Sequence, residues 1–449
     1  MLVVQNDSGI SSGLLARLAQ ARTQTDELFN LVKPEFLYER PIPERYRIIF
    51  YIGHLESFDW NLLCDRLLGL KPFHPDFDRL FAFGIDPVDG GLPSDQPADW
   101  PSLNEVRNYV REVRHRLDHG LEKMDFSAWI PSDHQDFTPE VLLNVAIEHR
   151  LMHAETLAYM FHRLPHDQKI KPAAEQDIPL PAVTPQMVQI TGGTSTLGMV
   201  CGDGTFGWDN EFERQIVEIP AFAIDKYEVT NREFLEFMNA GGYADHNLWS
   251  EADWKWKAEA EVSHPVFWEK HGQQWFFRGM FELIPLPGDW PVYVSQAEAS
   301  AYARWVGKSL PTEAQWHRAA YATPEGLERP YPWGNQAPDL ALGNFDFRRW
   351  NPTHVAAFAG GQSAFGVVDL LGNGWEWTST VFAPLPGFRP FSFYRGYSAD
   401  FFDGKHYVIK GGSMRTAESM LRRSFRNWFQ SHYQYVYAGF RCVTDKSGK

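Results

Sequence analysis

Residues 138–163 read TPEVLLNVAIEHRLMHAETLAYMFHR, and their spacing decides how the first third of the chain is built. Thr138 is placed to cap a helix and Pro139 to open it, because proline's fixed φ and missing N–H suit the first helical position. Apolar residues then recur at helical spacing, which predicts a helix over 138–163. His149 and His153, four residues apart, project from one face of that helix, close enough to hold a single metal ion. Glu155 falls roughly 200° round the helix from His153 and is a poor third ligand. Arg150 stands where the H-E-x-x-H zinc proteases need glutamate, so that chemistry is not expected.

Three more segments carry helical periodicity: 12–32, 44–70 and 102–124. Ser102 followed by Glu105 has the spacing of a capping box. Together with 138–163 they predict an antiparallel four-helix bundle, with a Pro/Asp/Gly-rich connection over 71–101. His54, in FYIGHLESFDW, is flanked by Ile52, Leu55 and Phe58, so it is expected to point into the bundle. A chance H-x-x-x-H is common among 16 histidines, and a single inward histidine is ordinarily a core residue. The two together describe a three-imidazole site built from facing helices, which suits zinc, iron, copper or nickel. Three protein ligands leave positions open, as catalytic sites do.

Residues 166–185 are Pro-rich, polar and aperiodic, which makes them a linker between a bundle over 1–165 and a second domain over 186–449. In the second domain short β-branched and aromatic runs alternate with Gly, Pro and Asn; 230–240 and 295–307 read as helices, and Leu310-Pro-Thr-Glu313 reads as a structural helix entrance with Thr312 capping. The fold class is therefore α+β. Aromatic residues make up 15% of the chain, 17 of them Trp, which suits a loop-rich fold packed by large flat rings. A formal charge of −15 argues against a nucleic-acid partner. Cys64, Cys201 and Cys442 are too few and too scattered for a disulfide framework. With no apolar run of the ~18 residues a membrane span needs and no secretory signal at the start, the expectation is a cytoplasmic protein without membrane contact.

An isolated His followed by H-x-x-x-H-x-E on a helical bundle resembles the DinB-like domain of the ergothioneine-type sulfoxide synthases (EgtB-like). These are non-haem iron enzymes related to the sulfatase-modifying factors. The second half carries matching landmarks in order: Met187-Val-Gln-Ile-Thr-Gly-Gly193, Asp225-Lys-Tyr-Glu-Val-Thr-Asn231, Leu310-Pro-Thr-Glu-Ala-Gln-Trp316 and Tyr331-Pro-Trp-Gly-Asn335. Asp369-Leu-Leu-Gly-Asn-Gly-Trp-Glu-Trp377, Lys410-Gly-Gly-Ser413 and Gly439-Phe-Arg441 complete them. They are similar to the formylglycine-generating-enzyme fold, a C-type-lectin-like architecture. Residues 422–429 lack the cysteine pair through which formylglycine-generating enzymes bind copper, so that activity is not expected.

The resemblance implies Fe(II) held by His54, His149 and His153, and an O2-dependent C–S bond formation on the imidazole of a histidine betaine (hercynine), giving a sulfoxide. It implies Asn427 and Trp428 as substrate contacts and Tyr394 as the proton or hydrogen-bond donor, with Tyr397, Tyr433 and Tyr435 as competitors. Better-known members place an acid and, four residues on, an Arg to hold a γ-glutamylcysteine donor. Here Phe429 and Tyr433 stand instead, which implies a smaller or less charged thiol or selenol donor. Met152 replaces a Gln common just before the second helical His, which alters the acceptor pocket. The runner-up readings are a metal-dependent thiol transferase of DinB type and a non-catalytic ligand-binding relative.

Overall fold

Helix α1 (Asp7–Phe29), α2 (Ile48–Leu63), α4 (Leu103–Lys123) and α5 (Pro139–Arg163) form the bundle, with a short α3 (Pro75–Leu80) between the second and third. The computed structural model describes residues 7–82, 92–126, 129, 137–173, 180–202 and 204–445. Parts of the expected connection (83–91) and of the expected linker (174–179) lie outside the described residues. The chain divides into two compact units, Met1–Pro172 and Ala173–Lys449.

Local chemistry fixes the ends of these helices. The Thr138 hydroxyl accepts from the Val141 N–H, with Pro139 in the first turn. Ser102 and Glu105 form a reciprocal capping box at the start of α4, which satisfies two N–H groups that the helix leaves unpaired. Helix α4 buries one stripe, Val106, Tyr109, Val113, Leu117 and Leu121, spaced as one face of a helix requires. Helices α2 and α5 are buried nearly all round, as elements at the centre of the unit. Helix α1 packs on α5, and α2 packs on both α4 and α5.

Helix α2 is shorter than the expected 44–70. It begins after Arg47, whose backbone is extended, and gives way to turns after Cys64, with Gly69 at φ 60°. Glycine carries that left-handed conformation without steric cost. Helix α3 was not foreseen. It opens at Pro75 and is capped by the His74 imidazole, which accepts from the Phe77 N–H.

In the second unit, β1 (Met187–Ile190) and β12 (Val443–Thr444) flank β4 (Phe222–Asp225), so the two ends of the unit meet in one antiparallel sheet. Strands β2 (Gly193–Leu197) and β3 (Gln215–Ile219) form a hairpin, and β5 (Trp268–His271), β6 (Gln274–Arg278) and β7 (Leu283–Pro285) form a meander. The four-stranded sheet runs β10–β9–β8–β11, from β8 (Trp375–Val381), β9 (His406–Lys410), β10 (Asn427–Gln430) and β11 (Ala438–Gly439). Ile190, Phe222, Ile224 and Val443 of the β1–β4–β12 sheet share a core with Trp316, Phe345 and Leu370. Trp375 and Trp377 are buried with them in the unit, as large core side chains.

The expected helices at 230–240 and 295–307 are α6 (Asn231–Asn239) and α8 (Gln296–Trp305). Helix α9 (Glu313–Tyr321) follows the expected helix entrance at Leu310-Pro-Thr-Glu313, and one more helix, α7 (Glu251–Glu259), was missed. Helix α7, EADWKWKAE, has no continuous apolar stripe and starts on the Ser250 cap. Helix α9 is introduced by a capping box between Thr312 and Gln315. No helix among the described residues is long and apolar enough to cross a membrane.

Candidate metal centre

The centre is built from α2 and α5. His54 comes from the buried interior of α2, and His149 and His153 from successive turns of α5. Their candidate ligand atoms all lie within 4.8 Å of one another, the one such histidine, cysteine and carboxylate group among the described residues. His54 Nε2 is 3.3 Å from His153 Nε2, and the His149 and His153 ring centroids are 4.5 Å apart. Phe58 lies flat on His149 at 3.4 Å between centroids, and Phe50 stacks on His54 at 4.9 Å. Both rings follow the helical spacing of α2, four residues on either side of His54.

All three imidazoles are held neutral. Burial pushes the His54 pKa down to about 4, against a raising contribution from the Phe81 carbonyl and with further lowering by the Arg150 charge. Burial also drives His149 and His153 well below the ordinary histidine range, reinforced by the neighbouring rings and by Arg150. Neutral imidazole is the form that ligates metal.

The hydrogen bonding is incomplete in an informative way. His54 Nδ1 lies 2.7 Å from the Phe81 carbonyl oxygen. A carbonyl can only accept, so Nδ1 carries the proton and Nε2 presents a lone pair. The Nδ1 atoms of His149 and His153 are buried without a hydrogen-bond partner. Orphaned buried ring nitrogens are costly in a protein interior, and a metal ion bound by these rings would turn facing lone pairs into ligands. The donor set therefore fits a metal. Glu155 is buried but is not in the group, and Met152 sits half-buried one residue before His153.

Arg150, read from sequence only as a departure from a protease motif, has its own task. Its guanidinium is 1% exposed and reaches Glu56 Oε1 at 3.0 Å and Asp59 Oδ2 at 2.6 Å across the bundle. Arg114 joins from α4, meeting Glu56 at 2.7 Å and Asp26 of α1 at 2.7 Å. Burial alone would raise the Glu56 carboxyl, but the Arg150, Arg114 and Arg22 charges bring it down to about 2. Asp59 is raised, chiefly by burial and by Glu56 beside it. This ion network ties α1, α2, α4 and α5 together directly behind the histidines. The sequence signal was available: acids at the second and fifth positions after His54, opposite an arginine next to His149.

In the second unit, Tyr394 is half-buried on the loop between β8 and β9, with its ring 5.5 Å from Tyr397. Tyr397 stacks on Trp208 at 3.9 Å and meets Trp428 edge-on at 5.5 Å. Trp428 in turn stacks on Phe382 at 4.1 Å. The structure thus gathers Tyr394, Tyr397 and Trp428 into one aromatic cluster, whose Trp208 and Phe382 sequence reading did not single out. Asn427 precedes Trp428 in β10 and accepts from its backbone N–H at 2.9 Å. Successive strand residues point to opposite faces, and Phe429, the next residue, stacks instead on Tyr433 at 5.1 Å with the rings 10° from parallel. Buried Arg426 braces β10 through Glu313 of α9, at 2.9 and 3.1 Å. Cys64 and Cys442 are buried and Cys201 is exposed, all three as free thiols.

The chain carries a helical bundle with a three-histidine group and a loop-rich α+β unit, and comparison with known proteins bears out both kinds of domain. Residues 17–157 match the DinB superfamily, and 174–446 match the sulfatase-modifying factor enzyme 1-like domain. The chain belongs to the hercynine oxygenase family. It is 35% identical to the hercynine oxygenase of Mycolicibacterium smegmatis over 96% of this chain and 98% of that protein. It is 39% identical to the Mycobacterium tuberculosis hercynine oxygenase over 56% of this chain and 58% of that one. Ergothioneine biosynthesis protein 1 of Neurospora crassa is 28% identical over 92% of this chain and 56% of its own length.

Proposed function

We propose that this protein is an Fe(II)-dependent sulfoxide synthase. It joins a thiol, or the corresponding selenol, to the imidazole ring of a histidine betaine such as hercynine. The stoichiometry is self-contained: the imidazole C–H and the thiol S–H each give up hydrogen, one oxygen atom of O2 becomes the sulfoxide, and the other leaves as water. No external reductant is needed. The observation that carries the reading is the convergence of three buried, neutral imidazoles on α2 and α5, in a chain of the hercynine oxygenase family.

His54, His149 and His153 would hold the metal. Bound there, ferrous iron would supply the means to activate O2 for C–S bond formation. The protein's own contributions are distinct. The Phe81 carbonyl keeps the His54 proton on Nδ1 and its lone pair on Nε2. Phe50 and Phe58 wall two of the rings and keep water from them. Met152, Asn427 and Trp428 are assigned to the acceptor, and Tyr394 to a proton or hydrogen bond given during the reaction. Phe429 and Tyr433 are assigned to the donor. A stacked aromatic pair offers no ion-pair partner to a multiply charged peptide thiol, which favours a small donor such as cysteine.

The test is O2 uptake by anaerobically Fe(II)-loaded protein given hercynine with cysteine, with a selenol and with γ-glutamylcysteine in parallel, and products weighed by mass spectrometry. Sulfoxide formed with one O2 per product supports the reading. Turnover that requires Zn(II) and proceeds without O2 would replace it with a thiol transferase.

A further inference from the structure

We propose that Gly53 is a positioning residue for the metal centre: the lack of a side chain there lets Phe81 bring its backbone carbonyl onto His54. This inference rests on the metal-binding reading above and names a residue outside the ligand set. Gly53 immediately precedes His54 in α2. A Cβ built on it would lie 2.6 Å from Cδ1, Cδ2 and Cε1 of the Phe81 ring, whereas carbon atoms settle at about 3.5–4.0 Å. The ring must therefore move by about 1 Å to admit even a methyl group.

The ring has little room to do so. Phe81 is fully buried and packed by Phe77 at 5.5 Å, Tyr109 at 6.0 Å, Trp100 at 6.2 Å and Phe50 at 6.3 Å between centroids. Displacing the ring pulls on the same residue's carbonyl, which takes the Nδ1 proton of His54 at 2.7 Å. That bond is the one hydrogen bond to an Nδ1 within the trio, since His149 and His153 have none at that atom. It sets both the tautomer of His54 and the direction of its Nε2 lone pair toward His153. A helix residue chosen for packing alone would be Ala, which is about 1 kcal/mol better than Gly in a helix interior. The exception here has a stated cause, the close approach of an aromatic ring whose backbone orients a ligand.

The experiment uses the full-length protein, wild type and the variants G53A, F81L and G53A/F81L. The first readout, on metal-free protein, is the His54 tautomer from ring 15N shifts. The second is affinity for Co(II) alone, read from its visible absorption. Wild type should show His54 protonated at Nδ1. G53A should lose that signature and bind Co(II) about 10–100-fold more weakly, the range typical when a group orienting a ligand is lost. G53A/F81L, with the ring gone and the carbonyl kept, should recover toward the affinity of F81L. Should G53A fail to fold, the wild-type tautomer still decides: an Nε2 proton on His54 overturns the inference. A folded G53A with unchanged affinity, or a double variant that stays as weak as G53A, overturns it as well. Wild-type protein that takes up no Co(II) would instead bring down the metal reading on which it rests.

Discussion

His54 Nε2 and His153 Nε2 face each other at 3.3 Å in the interior of the bundle, from two helices separated by nearly a hundred residues. With the His54 proton committed to the Phe81 carbonyl, the contact is either between two lone pairs or a single hydrogen bond that leaves the other edge of His153 bare. Neither arrangement is a stable end point in a dry core. An ion at this place would take up the facing Nε2 lone pairs as ligands.

Removal of either α5 ligand tests this directly. His149→Ala and His153→Ala should each weaken metal binding by more than the about 10–100-fold expected for loss of a mere orienting group, while far-UV circular dichroism keeps the helical content of wild type. Wild-type metal content in either variant contradicts the assignment.

Arg150 is expected to matter for stability rather than for affinity alone. Arg150→Met removes the cation that meets Asp59 and one of the two that meet Glu56, leaving Arg114 as the other partner of Glu56. Breaking a buried pair by deleting one partner costs about 3–5 kcal/mol, so urea denaturation of this variant should show a correspondingly earlier midpoint for the bundle. An unchanged midpoint would mean that the two carboxylates are already protonated in the native state.

Asp369 supplies a pH signature for the second unit. Burial raises its pKa to about 7, against the pull of the Asn373 side chain and Arg441 and with help from Glu376. The folded state therefore holds a proton that the unfolded chain has already lost above about pH 4. This contribution is fullest at acid pH and disappears as pH rises through 7, with an upper bound of about 4 kcal/mol. Denaturation midpoints of the second unit should fall from pH 5 to pH 8, and Asp369→Asn should flatten that slope. An equally steep slope in the variant would place the proton elsewhere.

Donor preference is expected to follow the Phe429–Tyr433 stack. Phe429→Asp combined with Tyr433→Arg puts charged partners where a charged peptide thiol would need them. The ratio of kcat/KM for γ-glutamylcysteine over cysteine should rise on the order of tenfold, as one good charge-assisted contact allows. A ratio that does not move would detach these two positions from the donor.

Much of this architecture was legible in the chain because the signals were local. Thr138 with Pro139 and Ser102 with Glu105 mark helix starts through backbone groups only a turn away. His54 could be oriented from its apolar neighbours, and the spacing of His149 and His153 follows from helix geometry alone. What periodicity could not reach were features made by distant partners. Helix α7 has no apolar stripe to betray it. Charges at Arg150, Glu56 and Asp59 look like solvent-facing residues until α2 and α5 bring them together. Trp208 meets Tyr397 and Arg426 meets Glu313 across long stretches of chain, and the Phe81 carbonyl belongs to backbone that no side-chain pattern encodes.

The most direct measurement is iron K-edge X-ray absorption on protein loaded anaerobically with one equivalent of Fe(II). The account predicts one tightly held iron per chain, with imidazole scattering that fits three histidines and no protein sulfur. Fewer than three imidazoles, a cysteine sulfur at the iron, or iron that washes out on desalting would contradict it.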